Sequence, residues 1–418
     1  AGAQAQNRLP PGMRPPGCAA GLQLPTGFCA TVFAQDVPGA RHIVVAPNGD
    51  VFVNTQARGG QGAPASPSSP AIFAFRDTDG DGKADVRERF GPGGGTGIAL
   101  DGNSLYATVG SSIVRYRVAS GTLTSVGKPD TIVTGLPTTG HRANNFVLHG
   151  RTLYVNIGSA TNACQQRDRQ TESPGRNPCT ELQTRAGVWQ FDATRVRQRV
   201  TDGRRFATGL RNSVALARNP FDGLLYAAVH GRDQLHDNWP KLFTVERNAE
   251  NPGEVLVRID RGADYGWPYC YHDVDRRALV LAPEYGGDGQ RTGQCASKTQ
   301  ALMTFPAHWA PNAALFYTGT QFPTEYRGGA FVAFHGSWNR APLPQAGFRV
   351  VFAPFRFNRP VGSFTTFADG FNPKPAAGRA PPGTHRPTGL AQAPDGSLYI
   401  TDDSGGTIWK VSYRGNAR

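Results

Sequence analysis

The stretch that decides the fold is Arg386-Pro-Thr-Gly-Leu-Ala-Gln-Ala-Pro-Asp-Gly-Ser-Leu-Tyr-Ile400. A basic start leads into an apolar run, an Asp-Gly turn and a second apolar run. Asp-Gly supplies the φ > 0 positions of a two-residue hairpin turn, so the segment reads as two antiparallel strands. The pattern recurs at residues 40–53, 96–107, 144–155 and 211–226, and more weakly at 326–334. One such unit cannot bury both of its faces, whereas six stacked around an axis can. The prediction is an all-β chain: one six-bladed β-propeller of four-stranded antiparallel blades over residues 28–418, preceded by a Pro/Gly-rich arm at 1–27. Phe28-Cys-Ala-Thr-Val-Phe33 is expected to close the ring against the C-terminal blade.

Composition agrees. The 418 residues include 52 Gly, 33 Pro and only two Met. Gly and Pro weaken helix interiors, which excludes a coiled coil or a helical bundle. An apolar fraction of 39% in alternating runs is enough to build a core, which excludes disorder. No apolar run approaches the roughly 18 residues of a membrane span, so membrane insertion is not expected. The formal charge is +13, and only six of the 44 basic residues are Lys, leaving 38 Arg. They are scattered without a nucleic-acid recognition motif, so nucleic acid is not expected as a partner.

Three segments break the period. Residues 56–70 are rich in Gly, Ala, Ser and Pro; 160–181 are polar; 232–311 are the longest insertion. Long loops on one propeller face form the binding mouth. The six cysteines fall into the couples Cys18/Cys29, Cys164/Cys179 and Cys270/Cys295, none with the spacing of a zinc or redox site. They read as disulfides of a periplasmic or secreted protein. The start, Ala1-Gly2-Ala3-Gln4, lacks an initiator Met, as expected once an export signal has been removed.

Two constellations carry chemistry. Asp77-Thr-Asp-Gly-Asp-Gly-Lys-Ala-Asp-Val-Arg-Glu88 matches a twelve-residue calcium loop, with Asp77, Asp79, Asp81, the Lys83 carbonyl, Asp85 and Glu88 as oxygen donors. Its flanks read as strands, so it would sit in a hairpin as a structural site; a solvated acidic turn is the alternative. The second constellation is spread over the repeats: His141, Arg211-Asn212, His230-Gly-Arg-Asp233, His335-Gly-Ser-Trp-Asn-Arg340 and Arg386. Turns at equivalent positions of successive blades converge on one end of the axis. These motifs would then form one cationic, histidine-containing pocket fit for a polyanion, although each residue taken singly could be structural.

Gly140-His141, Leu210-Arg211-Asn212, Asp264-Tyr-Gly-Trp-Pro268 and the terminal Arg386…Tyr399 together resemble the soluble PQQ-dependent sugar dehydrogenases. The Asp77–Glu88 loop and the two His-Gly motifs are most similar to their L-sorbosone dehydrogenase branch. The resemblance runs from about residue 28 to the C-terminus. It implies a propeller holding pyrroloquinoline quinone (PQQ) over a Ca²⁺ and oxidising an aldose, sugar aldehyde or related polyol to a lactone or acid. It makes His141 the base, with Arg211 and Asn212 at the quinone end. His230, His335, Arg340 and Arg386 become cofactor contacts, and the Gly231 and Arg232 carbonyls the ligands of a catalytic Ca²⁺. The sequence departs from the family at three places. Gly140 replaces an acidic residue before the base, Thr388 replaces a second Arg, and a PQQ-gripping Lys is missing near His335-Gly336, where Arg340 could substitute. No Cys-x-x-Cys-His is present, so electrons would leave to an external cytochrome or quinone carrier. A Ca²⁺-dependent lactonase or a non-catalytic carbohydrate- or protein-binding propeller are the alternatives.

Overall fold

The computed structural model describes residues 20–56, 70–92, 94–373, 376 and 384–415. Six blades follow one another along the chain, each built on four antiparallel strands; the second gains a short fifth strand, Gln198–Arg199, which pairs parallel with Asp130–Thr134. The first blade is Ala40–Val45, Val51–Thr55, Pro70–Arg76 and Val86–Pro92; the second is Ile98–Asp101, Ser104–Val109, Ser112–Arg117 and Asp130–Thr134. The third is Phe146–His149, Thr152–Ile157, Gly187–Asp192 and Arg204–Thr208, and the fourth is Ala215–Arg218, Leu225–Val229, Glu254–Ile259 and Met303–Phe305. The fifth is Pro311–Phe316, Ala330–Phe334, Arg349–Ala353 and Thr365–Ala368. Pro387–Gln392, Leu398–Asp402 and Ile408–Tyr413 make three strands of the sixth, and Phe28–Ala34 completes it, pairing Phe28 with Tyr413. The expected closure is therefore present.

Each sequence repeat supplies strands at the inner edge of a blade. The turn glycine Gly102 has φ +53, and a side chain there would be strained. The innermost strands touch in a circle, and the sixth returns to the first and fifth. The large hydrophobic clusters lie between blades; Phe331, Phe352, Phe367, Leu398 and Ile400, for example, fill the wedge between the fifth and sixth. Burial of such side chains contributes about 1.5–3 kcal/mol each, so every blade depends on both neighbours. Leu22 and Leu24 join this last wedge, so the arm is packed from at least there onward.

One expectation is corrected. Residues 232–311 are not one insertion, because Glu254–Ile259 and Met303–Phe305 are the outer strands of the fourth blade. Two short helices, Leu235–Asn238 and Val245–Glu250, precede Glu254–Ile259, and a hairpin of Cys270–Asp273 with Ala278–Leu281 lies between it and Met303–Phe305. The alternation in Glu-Val-Leu-Val-Arg-Ile was the overlooked strand signal.

The disulfides Cys164–Cys179 and Cys270–Cys295 are both formed. Cys18 lies outside the described residues, as do residues 57–69 of the first predicted loop. Among the described residues, no helix is long and apolar enough to cross a membrane.

Candidate active site at one end of the propeller axis

The strand ends at one pole of the ring bring the dispersed motifs together. Arg211 is buried just before the first strand of the fourth blade. Its Nε donates to the Asn162 carbonyl (3.2 Å), Nη1 to the Gly231 carbonyl (2.7 Å), and Nη2 to Asn162 Oδ1 (3.1 Å) and Asp233 Oδ2 (2.9 Å). A guanidinium has five N–H donors, so one remains for a ligand.

Asp233 is the hub of this half. Besides Arg211 it accepts from Arg169 Nη2 (3.0 Å) and, at Oδ1, from Asn339 Nδ2 (2.9 Å). Burial alone would raise its pKa, but Arg211 and Arg169 hold the carboxyl well below the usual range. Behind the hub, Trp267 Nε1 donates to the Asn162 carbonyl (3.0 Å). Trp267 of the Asp-Tyr-Gly-Trp-Pro motif thus buttresses the site, and Tyr265, Trp267 and Pro268 line a cavity beside Arg211 and His230.

His141 occupies the neighbouring blade. Its Nδ1 lies 2.8 Å from Ser159 Oγ and 3.0 Å from the Ser159 carbonyl oxygen. Ser159 Oγ already donates to the Thr161 carbonyl (2.7 Å), so both neighbours of Nδ1 can only accept. Nδ1 therefore carries the hydrogen, and Nε2 presents a lone pair. Burial, then Arg211, depresses the imidazole pKa well below its ordinary value despite Asp233, so the ring is neutral at pH 7.

Three other axial histidines hold the opposite tautomer. His42, His230 and His335 have Nε2 against the Asn312 carbonyl, the Pro311 carbonyl and Asp403 Oδ1, each at 2.8 Å. Burial pushes His42 and His230 down to about 4, and His335 is lowered by burial and then by Arg386. Of these four, His141 alone turns Nε2 away from a carbonyl or carboxylate.

The second half of the site spans the closing seam. Asp403 accepts from His335 and pairs with Arg41 Nη1 (2.9 Å). Arg386 Nε donates to the His335 carbonyl (3.0 Å) and Nη2 to the Gly336 carbonyl. Four guanidiniums (Arg41, Arg169, Arg211 and Arg386) thus gather around Asp233 and Asp403, with Glu254 near Arg211 and Asp402 near Arg386. Asn212 is buried beneath them, its Oδ1 accepting from Asn156 Nδ2 (3.3 Å).

Two expected contacts are corrected. Arg340 donates to the carbonyls of Ala249 (2.8 Å), Ala307 (3.1 Å) and Pro344 (3.3 Å), and so ties loops together instead of replacing the missing Lys. The Gly231 carbonyl, expected to bind Ca²⁺, is turned to Arg211, and the adjacent guanidinium repels a second cation. The Arg232 side chain is buried against Glu284. This arrangement does not fit an axial Ca²⁺ on Gly231 and Arg232. The sequence reading had also missed Glu254, which accepts from the Gly231 N–H (2.7 Å) and the Ala310 N–H (3.1 Å) and whose pKa burial raises to about 7. Asn162, Ser159, Arg169, Arg41 and Asp403 were missed too, and none lies within a recognisable motif.

The acidic loop lies in the expected hairpin between Pro70–Arg76 and Val86–Pro92. Carboxylate oxygens of Asp77, Asp79 and Asp85 lie within 4.8 Å of one another. Asp81 instead accepts from the Lys83 N–H (2.8 Å), and Glu88 sits in the following strand opposite Ala74. Three of the five predicted carboxylates converge.

Comparison with known proteins identifies the fold and the family. A family model described as TrAA12-like matches residues 22–414. A pyrroloquinoline quinone-dependent sugar dehydrogenase of Hypocrea jecorina is 26% identical over 341 residues, covering 75% of this chain and 73% of that protein. A pyrroloquinoline quinone-dependent pyranose dehydrogenase of Coprinopsis cinerea is 25% identical over 362 residues, 76% of this chain but 46% of that protein. An uncharacterised Borreliella burgdorferi protein is 29% identical over 210 residues, 50% of this chain and 48% of that protein. The chain thus spans about half the length of the last two relatives. Among solved structures, the calcium structure of the Trichoderma reesei family AA12 enzyme superposes with a TM-score of 0.72 at 19% identity, covering 98% of this chain and 99% of that one. The holo pyranose dehydrogenase PQQ domain from Coprinopsis cinerea gives 0.72 at 18% identity, covering 97% and 98%. The chain belongs to the TrAA12-like family and is distantly similar to PQQ-dependent sugar dehydrogenases.

Proposed function

We propose that this protein is a PQQ-dependent dehydrogenase that oxidises an aldose, sugar aldehyde or related polyol and passes the electrons to an external carrier. The observation that carries this reading is the pairing of a neutral His141, with its Nε2 lone pair available, with four guanidiniums at one pole. The donor chemistry fits a tricarboxylate quinone: guanidinium N–H groups cluster at this pole, and Arg232 Nη2 and Asn339 Oδ1 are buried there without a partner among the described residues. Arg211, Arg386 and Arg41 would hold the cofactor, with Asn212 beneath. When bound, PQQ supplies the two-electron acceptor for hydride from the sugar carbon.

The chain's own part is proton and charge management. His141 Nε2 takes the hydroxyl proton as hydride leaves. The remaining N–H of Arg211 and the donors of Arg386 stabilise the negative charge that develops on the acceptor side. The disulfides support a periplasmic or secreted setting, with a cytochrome or quinone as the carrier. The Arg/His-rich donor set disfavours a lactonase, which needs carboxylate and Asn ligands around its metal.

The test is to add PQQ to apo-protein in Ca²⁺ buffer and follow both the cofactor spectrum and dye reduction across a sugar panel. Spectral binding with turnover of at least one aldose is expected; neither signal would overturn the reading. Arg386→Ala should weaken cofactor binding by roughly tenfold, the loss of about one charge-assisted contact.

We also read Asp77, Asp79 and Asp85 as a structural Ca²⁺ site. Calcium is expected to raise the melting temperature, and Asp79→Ala or Asp85→Ala should abolish that rise while leaving the calcium-free melting temperature nearly unchanged. An undiminished rise in both variants would remove the site.

A further inference from the structure

We propose that Glu181, acting through the turn at residues 159–161, is a positioning residue that fixes His141 in its Nδ1–H form. The proposal rests on the reading of His141 as the base, and it explains how this chain orients the ring without an acidic neighbour. No side chain can precede the ring. Gly140 has φ +66, and a Cβ there would lie 2.6 Å from the Ala160 carbonyl oxygen and 2.8 Å from that of Ser159. Orientation must therefore come from the far side of the imidazole.

That side is built in layers. Next to the ring, Ser159 Oγ accepts from Nδ1 and is locked as an acceptor by its own bond to the Thr161 carbonyl. The Ser159 carbonyl also accepts from the His141 backbone N–H (3.0 Å) and from Arg185 Nη2 (3.3 Å), so it is shared among three donors. The hydroxyl is thus the less divided partner. One layer further out, Glu181 Oε2 accepts from the N–H groups of Ala160 (2.7 Å) and Thr161 (3.2 Å), and Oε1 from the Thr161 hydroxyl. Thr161 Oγ1 in turn accepts from the Cys164 N–H (2.9 Å).

A carboxylate is the natural group for this task. It is an acceptor only, and two oxygens can satisfy three donors at once, whereas an amide would turn its NH₂ toward one of them. Glu181 belongs to the short 3₁₀ turn Thr180–Gln183, directly after Cys179, which is bonded to Cys164. Both ends of the relay are thereby fixed to one disulfide loop. On the other side, the Ser159 N–H donates to the Arg211 carbonyl (2.8 Å), so the turn also sets the spacing between base and guanidinium.

The test reads the ring itself, in apo-protein, by long-range ¹H–¹⁵N correlation with His141→Gln as the assignment control. The wild type should show the neutral Nδ1–H tautomer at pH 7. In Glu181→Gln and Ser159→Ala the His141 signals should move toward a tautomer mixture, while Ser159→Thr, which keeps the hydroxyl, should restore them. In loaded enzyme kcat should fall by about tenfold with KM little changed, because a slightly misplaced base costs turnover more than binding. An Nε2–H tautomer in the wild type would overturn the proposal. So would unchanged signals and kcat in both Glu181→Gln and Ser159→Ala. Tautomer shifts in the variants, with turnover indifferent to His141→Ala, would instead overturn the base assignment and leave the positioning role standing.

Discussion

His141→Ala is expected to lower kcat by roughly 10²–10⁴-fold, the range of a lost general base, while cofactor affinity stays within a few-fold. The second half of that expectation follows from the geometry, since His141 is bonded to Ser159 and not to the guanidiniums that would grip the cofactor. The pH profile carries a further signature. A base must be deprotonated to act, and burial with Arg211 lowers the His141 pKa. The acid limb of kcat/KM should therefore lie well below 6.5, and the enzyme should keep its activity in mildly acidic buffer. A limb at or above 6.5, or equal turnover in the alanine variant, would exclude His141 from the role.

Asp233→Ala is expected to have the largest effect on stability. It would leave Arg211, whose side chain is 5% exposed, and Arg169 without their shared carboxylate. Breaking a buried ion pair from one side costs roughly 3–5 kcal/mol, measurable by urea unfolding. Asp233→Asn keeps the shape and should cost less. The sign with pH follows from the folded-state shift. Because Asp233 is held below its unfolded value, its contribution is full above about pH 4 and is lost as the pH falls toward the folded value. The buried histidines act earlier. His42, His230 and His272 sit at about 4 when folded, so the unfolded chain takes up protons first as pH falls from 6.5 to 4. Stability should decline through that window, where the histidines act together, and keep falling below it as Asp233 takes up its proton; a flat profile from pH 7 to 4 would contradict these assignments.

The repeat was legible because a hairpin turn has a local chemistry. Asp395-Gly396 or His149-Gly150 announces itself within two residues, and six such signals leave little freedom in the topology. The third and fourth strands were harder. Glu254–Ile259 sits among loops that hid its alternation, and only pairing with Leu225–Val229 makes it a strand. At the site, residues with a recognisable neighbourhood were found: His141, Arg211, His230, His335 and Arg386. Their partners were not, because Asp403 reaches His335 and Arg41 from a blade boundary that no local pattern marks. Arg340 was misjudged for a related reason. A guanidinium satisfies backbone carbonyls as well as it does a ligand carboxylate, and sequence does not say which it meets. Gly231 was misjudged because a carbonyl's partner is set by whichever side chain folds over it, here Arg211.

The pairing of Phe28–Ala34 with Ile408–Tyr413 has a consequence for biogenesis. Until Ile408–Tyr413 has emerged, the sixth blade lacks its outer pair, and the wedge formed by Leu398, Ile400 and Phe367 stays open to water. Asp403 then has no settled place, so the Arg41–His335–Arg386 half of the pole cannot assemble before the rest of the ring. A chain truncated by even one strand should fail to load ligand and become a target for proteolysis. The Phe28–Ala34 and Ile408–Tyr413 pair thus acts as a clasp that couples closure of the ring to assembly of that half of the pole.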